Sequence, residues 1–143
     1  MPGSPNLSIV YDTNHKVQPI TDHYKLGKTA TANIQSCTSA LQASGVPLDK
    51  DFVIDIGAGR GTLMFYNKMP TITRSRGQNL HYIFTKFGTR ISLTELMRCQ
   101  GFKPEQLLWD SLSDSAVGAL VGNAMSVHVV KHLLRANLAA LRF

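Results

Sequence analysis

The sequence predicts an α/β or α+β fold: a small mixed sheet with flanking helices and a long C-terminal helix. Three observations carry this reading. The run FVIDI at 52–56 is β-branched, apolar and flanked by turn residues, the pattern of a buried strand. From Met125 to Leu141, Val129, Val130, Leu133, Leu134, Leu138 and Leu141 recur at helical spacing, with Lys131, Arg135 and Arg142 elsewhere. Finally, 143 residues with 43% apolar and 17% charged side chains are enough for one real core and exclude a disordered class.

Residues 1–25 are rich in Pro, Gly, Asn, Thr and Asp and read as an extended, weakly specified arm. A helix is expected over Lys28–Ser44, where Ile34, Cys37 and Leu41 share a face and Gly45 and Pro47 give the stop. The strand at 52–56 runs into a glycine turn, Gly57-Ala58-Gly59-Arg60-Gly61. TITRSR at 71–76 and LHYIFT at 80–85 read as strands or strand-like loops around Gly77. Ser92 or Thr94 can cap a short helix that Gly101 ends. A helical turn is expected between Lys103 and Leu108, and a short helix over Asp114–Val121.

Several function classes are set aside at this level. No run of about 18 apolar residues is present, so no membrane span is expected. The start, MPGSPNLS, has no secretory pattern. Cys37 and Cys99 cannot build a disulfide framework and suit a reducing, intracellular compartment, nuclear in a eukaryote or cytoplasmic in a bacterium. The net charge of +6 lies entirely in the middle third. Between 61 and 103, Lys68, Arg74, Arg76, Lys86, Arg90, Arg98 and Lys103 stand against Glu95 alone. Such a concentration favours a polyanion, because each neutralised phosphate releases counterions; a solvated basic face is the plain alternative.

Two blocks carry more information. RISLTELMRCQGF at 90–102 contributes Leu93, Thr94, Glu95, Arg98, Gln100, Gly101 and Phe102, with Cys99 where the pattern often has Leu. GNAMSVHVV at 122–130 comes some twenty residues later, matching through Gly122, Asn123, Ala124 and Val127. In order and spacing the two resemble the last two motifs of the DNA cytosine-5 methyltransferase family. MPTITRSRG at 69–77 is similar to the stretch before them. The resemblance covers about Asp51 to Leu141. It divides residues 26–143 into a reduced DNA-recognition region, about 62–103, and closing helices, 104–143.

The resemblance implies DNA as partner, with Thr71, Thr73, Arg74, Arg76 and Gly77 facing it; arginine forks and threonine hydroxyls suit phosphates and base edges. It implies that the 90–102 block is architectural, with Glu95 and Arg98 able to pair locally. It implies that Asn123 and Ala124 open the final helix beside S-adenosyl-L-methionine, where a helix N-terminus favours a carboxylate. The family's catalytic machinery is not matched. Cys37 sits in Ser-Cys-Thr-Ser without a preceding Pro, Cys99 lies inside the architectural block, and no Glu-Asn-Val occurs. A base-flipping enzyme needs these groups around the extruded base, so no catalytic residue is assigned.

The expected function is therefore a C-terminal fragment or subunit of a DNA cytosine-5 methyltransferase. It contacts DNA and completes the S-adenosyl-L-methionine pocket with a separate catalytic half, and it does not methylate alone. One alternative is a stand-alone DNA-binding or interaction module. A second is a small S-adenosyl-L-methionine-binding domain built on Gly57–Gly61, since VIDIGAGRGTL has the strand, acid and glycine turn of that signature. Against it, Pro70 cuts the segment after the turn short, and no Asp or Glu occurs between Asp55 and Glu95. His128 and His132, four apart, have a metal-like spacing but no adjacent Glu, and read as polar-face residues. Trp109 reads as a packing residue.

Overall fold

The structure is a computed structural model and describes residues 7, 10–12, 26–59 and 63–141. In chain order it places α1 (Lys28–Ala43), β1 (Phe52–Asp55), β2 (Met64–Tyr66), α2 (Arg74–Gln78), β3 (Tyr82–Phe84), β4 (Thr89–Arg90), α3 (Leu93–Cys99), a 3₁₀ turn (Pro104–Gln106), α4 (Asp114–Asn123) and α5 (Val127–Ala140). The four strands form one sheet in the order β2-β1-β3-β4. The fold is a mixture of helix and strand with a long C-terminal helix, as expected. The sheet, however, is antiparallel throughout rather than mixed. Strand β1 is followed by antiparallel β2, and the chain then returns through α2 to place β3 antiparallel on the other edge of β1.

Strand β1 is central, and its alternation sends side chains to two cores. Val53 pairs with Phe84, and both join Tyr82, Ile91, Leu96, Met97, Val117 and Val121 on one face. Ile54 pairs with Ile83, and both meet Ile56, Ile34 and Cys37 on the other. Helix α1 covers that second face with Ile34, Cys37 and Leu41, the stripe its sequence spacing marks. The continuous apolar run of β1 is thus explained by burial of both faces.

Helix α3 starts with a complete capping box. Ser92 Oγ accepts from the Glu95 amide at 3.2 Å, and Glu95 Oε2 accepts from the Ser92 amide at 2.9 Å. Of the two cap candidates the chain uses Ser92. Glu95 is fully buried and also accepts from the Asp12 amide at 3.2 Å.

That last contact brings the described part of the arm onto the body. Most of residues 1–25 lie outside the described residues, but Leu7 and Val10 are buried. Tyr11 packs edge-on against Phe84 and Phe87, with centroids 4.9 and 4.8 Å away, and donates to Asp51 at 2.9 Å. An aromatic ring with a polar tip gives this short segment both an apolar seat and a fixed direction.

TITRSR is not a strand. Residues 71–73 are irregular, and Arg74–Gln78 form α2. The reason is α4. A Cβ on Gly77 would collide with the Gly118 carbonyl, one on Gly118 with the Gly77 carbonyl, and one on Gly122 with the Thr73 carbonyl and the Arg74 Cα. Three glycines let two helical backbones touch, and a strand could not follow that surface.

The stretch Asp114–Ala140 is long and apolar enough by composition to count as a candidate membrane span, where none was expected. It is two helices rather than one. Ala124 leaves the helical region at ψ 146°, and α5 restarts after Ser126. Helix α5 also carries Lys131 and Arg135. We read the pair as one packed helix and one surface helix.

Replacing Gly118 by Val places three carbons where a backbone already sits. Overpacking of this kind costs about 3 kcal/mol, so urea unfolding is expected to move to clearly lower denaturant. A change below about 0.5 kcal/mol, the range of ordinary surface substitutions, would contradict the close approach.

Candidate nucleic-acid interface

Helix α2 and the turn before it hold the side chains assigned to DNA, and the structure divides them. Thr71, Thr73 and Arg74 are exposed. Thr71 is positioned by its carbonyl, which accepts from the Tyr82 hydroxyl at 3.0 Å. Thr73 stands exposed at the N-cap of α2, and its hydroxyl makes no capping hydrogen bond there. Arg74 comes next, beside Gly122.

Arg76 and Gly77 hold the fold together instead. The Arg76 Nε lies 2.9 and 3.0 Å from the two oxygens of Asp55, tying α2 to the end of β1. Gly77 is buried against Gly118. The expected outward set therefore narrows to Thr71, Thr73 and Arg74.

The charge imbalance changes in space as well. Three of the seven middle-third cations meet acids from the first third: Arg76 with Asp55, Lys86 with Asp51 at 3.3 Å, and Arg98 with Asp12. Arg90 donates to the carbonyls of Leu80, at 3.2 Å, and Asn79. Among the described residues no carboxylate pairs with Lys68, Arg74 or Lys103, and all three are exposed. The polyanion argument rests on these three rather than on seven.

The 90–102 block is architectural, with a different partner for Arg98 than sequence spacing offered. Its guanidinium pairs with Asp12 and donates to the Val10 carbonyl at 3.3 Å. Asp12 also accepts from Ser92 Oγ and Thr94 Oγ1, each at 2.9 Å. Burial pushes the Asp12 carboxyl up, but the hydrogen bonds from Arg98, Ser92 and Thr94 and the Arg98 charge outweigh it, and the carboxyl sits below its ordinary value.

Gln100 closes the block against α4. Its side-chain amide donates to the carbonyls of Val121 and Ala124, both at 3.3 Å, and its own carbonyl accepts from the Val127 amide at 2.8 Å. One residue thus holds the end of α4 and the start of α5. Neither Gln100 nor Gly118 was singled out for this from sequence alone. The visible signals were a polar residue in an apolar block and the four-residue spacing of Gly118 and Gly122.

Asn123 and Ala124 do not open the final helix. Asn123 is the last residue of α4 and exposed, and Ala124 is its C-cap. A helix C-terminus presents carbonyls and the negative end of the dipole, so the carboxylate argument drawn from a helix N-terminus does not apply here. What remains is position. Gly122 touches Thr73 and Arg74, so Asn123 adjoins the exposed arginine surface.

The glycine turn has a local explanation, though Arg60 and Gly61 lie outside the described residues. It joins β1 to antiparallel β2, and no helix comes directly after it. The Gly57 amide donates to Asp55 at 3.0 Å, and Asn33 donates to the carbonyls of Ile56 and Ala58 at 3.1 and 2.9 Å. A Cβ on Gly57 would strike the His81 ring. His81 Nδ1 is buried without a hydrogen-bond partner, and burial together with Arg76 and Arg90 holds its pKa below the usual value. A neutral imidazole packed behind the turn requires that glycine without any ligand.

Neither described thiol is an activated nucleophile. Burial pushes Cys99 up to about 12, with Glu95 adding to the shift, and burial raises Cys37 as well. The His128 ring packs on Gly101, 2.8 Å from where a Cβ would stand, which gives it a packing role at the junction of α3 and α5. Trp109 packs against the larger core. The chain matches no protein-family model, no curated protein and no solved structure.

Asp12→Asn should destabilise the fold at neutral pH. A carboxyl with a lowered folded pKa contributes above its unfolded value of about 3.9 and loses that contribution as pH falls through the folded value. Urea midpoints of wild type and variant are therefore expected to converge in acid. A gap that stays constant across that range would contradict the role given to the charge.

Proposed function

We propose that the chain is the C-terminal part of a DNA cytosine-5 methyltransferase, acting as an intracellular DNA-contacting subunit or fragment. It contacts the phosphate backbone through Thr71, Thr73 and Arg74, supported by Lys68 and Lys103. It completes an S-adenosyl-L-methionine pocket, through the Asn123–Ala124 corner, only when a catalytic half is present.

The observation that carries this reading is the convergence of the three resembling stretches. TITRSRG packs on the helix that ends at Asn123 through Gly77, Gly118 and Gly122. Gln100 of the 90–102 block hydrogen-bonds both Val121 and Ala124. Three separate motif matches thus form one contact unit, as parts of a single recognition and closing region would. The unactivated thiols agree with the absence of the family's catalytic motifs from the sequence.

Titration of the purified chain with duplex DNA at two salt concentrations tests the first half of the reading. Binding is expected to weaken steeply with salt, and Arg74→Ala to weaken it uniformly across sequences while reducing the salt slope by about 1. S-adenosyl-L-methionine alone is expected to give no calorimetric signal. Salt-insensitive binding, or none, would overturn the nucleic-acid assignment. Cofactor binding by the lone chain that Asn123→Ala leaves untouched would overturn the pocket assignment. DNA binding with no gain of cytosine methylation when a catalytic domain is supplied in trans would favour the stand-alone DNA-binding module.

A further inference from the structure

Helix α5 is the most unsatisfied element of the fold. It has no buried residue, and Val129, Leu133, Leu134, Leu138 and Leu141 are half or more exposed. On a helical wheel Val127, Val130, Leu134 and Leu138 form one groove, edged on a single side by Lys131 and Arg135. No acidic residue occurs after Asp114 in the chain. The start of the helix is fixed to the body by the Val127 amide on Gln100 and the His128 ring on Gly101.

A surface of opposite character lies in the same chain. Between Lys103 and Lys131 there is no Lys or Arg, while Glu105, Asp110 and Asp114 are all present. All three acids are exposed. Interleaved with them are Leu107 and Leu112, more than 40% exposed, and Leu108, fully exposed. Exposed leucines set among acids, with Lys103 at the segment's start as the one cation near in sequence, match an apolar groove edged by cations.

Both surfaces are exposed within one copy, so they do not cover each other there. In sequence the two are joined by the ten-residue helix α4. A two-fold pair of chains solves this, because each copy offers one groove and one acidic segment and the contact forms twice. We propose that a second copy of this chain covers α5, with its Leu107–Leu112 segment in the apolar groove and its Glu105 and Asp110 against Arg135 and Lys131.

Charge complementarity selects a second copy over other occupants. A parallel or antiparallel pairing of two α5 helices would bring cations to cations without an acid to offset them, whereas the reciprocal arrangement pairs every one of these charges. The inference stands apart from the nucleic-acid reading, since none of these residues belongs to the surface assigned to DNA.

The test is a charge-exchange experiment by sedimentation equilibrium on the full chain. Wild type is expected to dimerise, and more weakly at high salt. The variant K131E/R135E and the variant E105K/D110K should each lose about tenfold or more in dimer affinity, with circular dichroism reporting an intact fold. An equimolar mixture of the two should recover a dimer, because each reversed groove then meets a reversed segment. A monomeric wild type, or a mixture that stays as weak as its components, would overturn the proposal. So would a chain that remains monomeric while co-sedimenting with vesicles of anionic phospholipid, since a lipid surface would then be the occupant of α5.

Discussion

The close backbone approach between α2 and α4 decides most of what surrounds it. Without side chains at Gly77, Gly118 and Gly122 the two helices touch carbonyl to Cα. A five-residue helix has no stability of its own, since nucleation alone outweighs the few hydrogen bonds it gains. Helix α2 therefore exists because α4 is there. Once α2 is fixed, Arg76 is delivered to Asp55 and Arg74 is turned outward beside Gly122. The same contact creates the exposed arginine surface and removes one arginine from it.

A second constraint sets where the chain after α4 goes. A continuous helix from Asp114 to Ala140 would project as one apolar rod. Gln100 prevents this by accepting the Val127 amide while its side chain binds the carbonyls released at the end of α4. Buried polar groups must find partners, and here one glutamine and one helix break satisfy each other. The break redirects α5 away from the core, which is why its leucines are left uncovered.

Much of the architecture was legible in the sequence, for reasons that can be named. Helix α1 announced itself through Ile34, Cys37 and Leu41 and its Gly45 stop. Strand β1 did so through an unbroken apolar run, and α3 through a cap candidate at Ser92 or Thr94 and the Gly101 stop. These are local signals, and local physics decides those elements. The errors fall where distant residues decide. TITRSR has strand-like composition, yet its Arg74–Arg76 half joins α2 because of glycines some forty residues away. Arg98 has Glu95 one turn earlier yet pairs with Asp12, brought in by Tyr11 docking on Phe84 and Phe87. Asn123 resembles a helix cap and ends a helix instead, because Gln100 sets the break one residue later. The site was readable as residue types; which of them face outward depends on ion pairs that span the chain.

Native-state amide hydrogen exchange across α2 tests the central claim most directly. If α4 holds α2 in place, the Gly77 amide, bonded to the Thr73 carbonyl at 2.9 Å, should be protected nearly as strongly as the amides of β3. Protection at Gly77 should then fall far more than protection in β3 when Gly118 is replaced by alanine. A Gly77 amide that exchanges in wild type at the rate of an open loop would contradict the account, since α4 would then not be holding α2 in place.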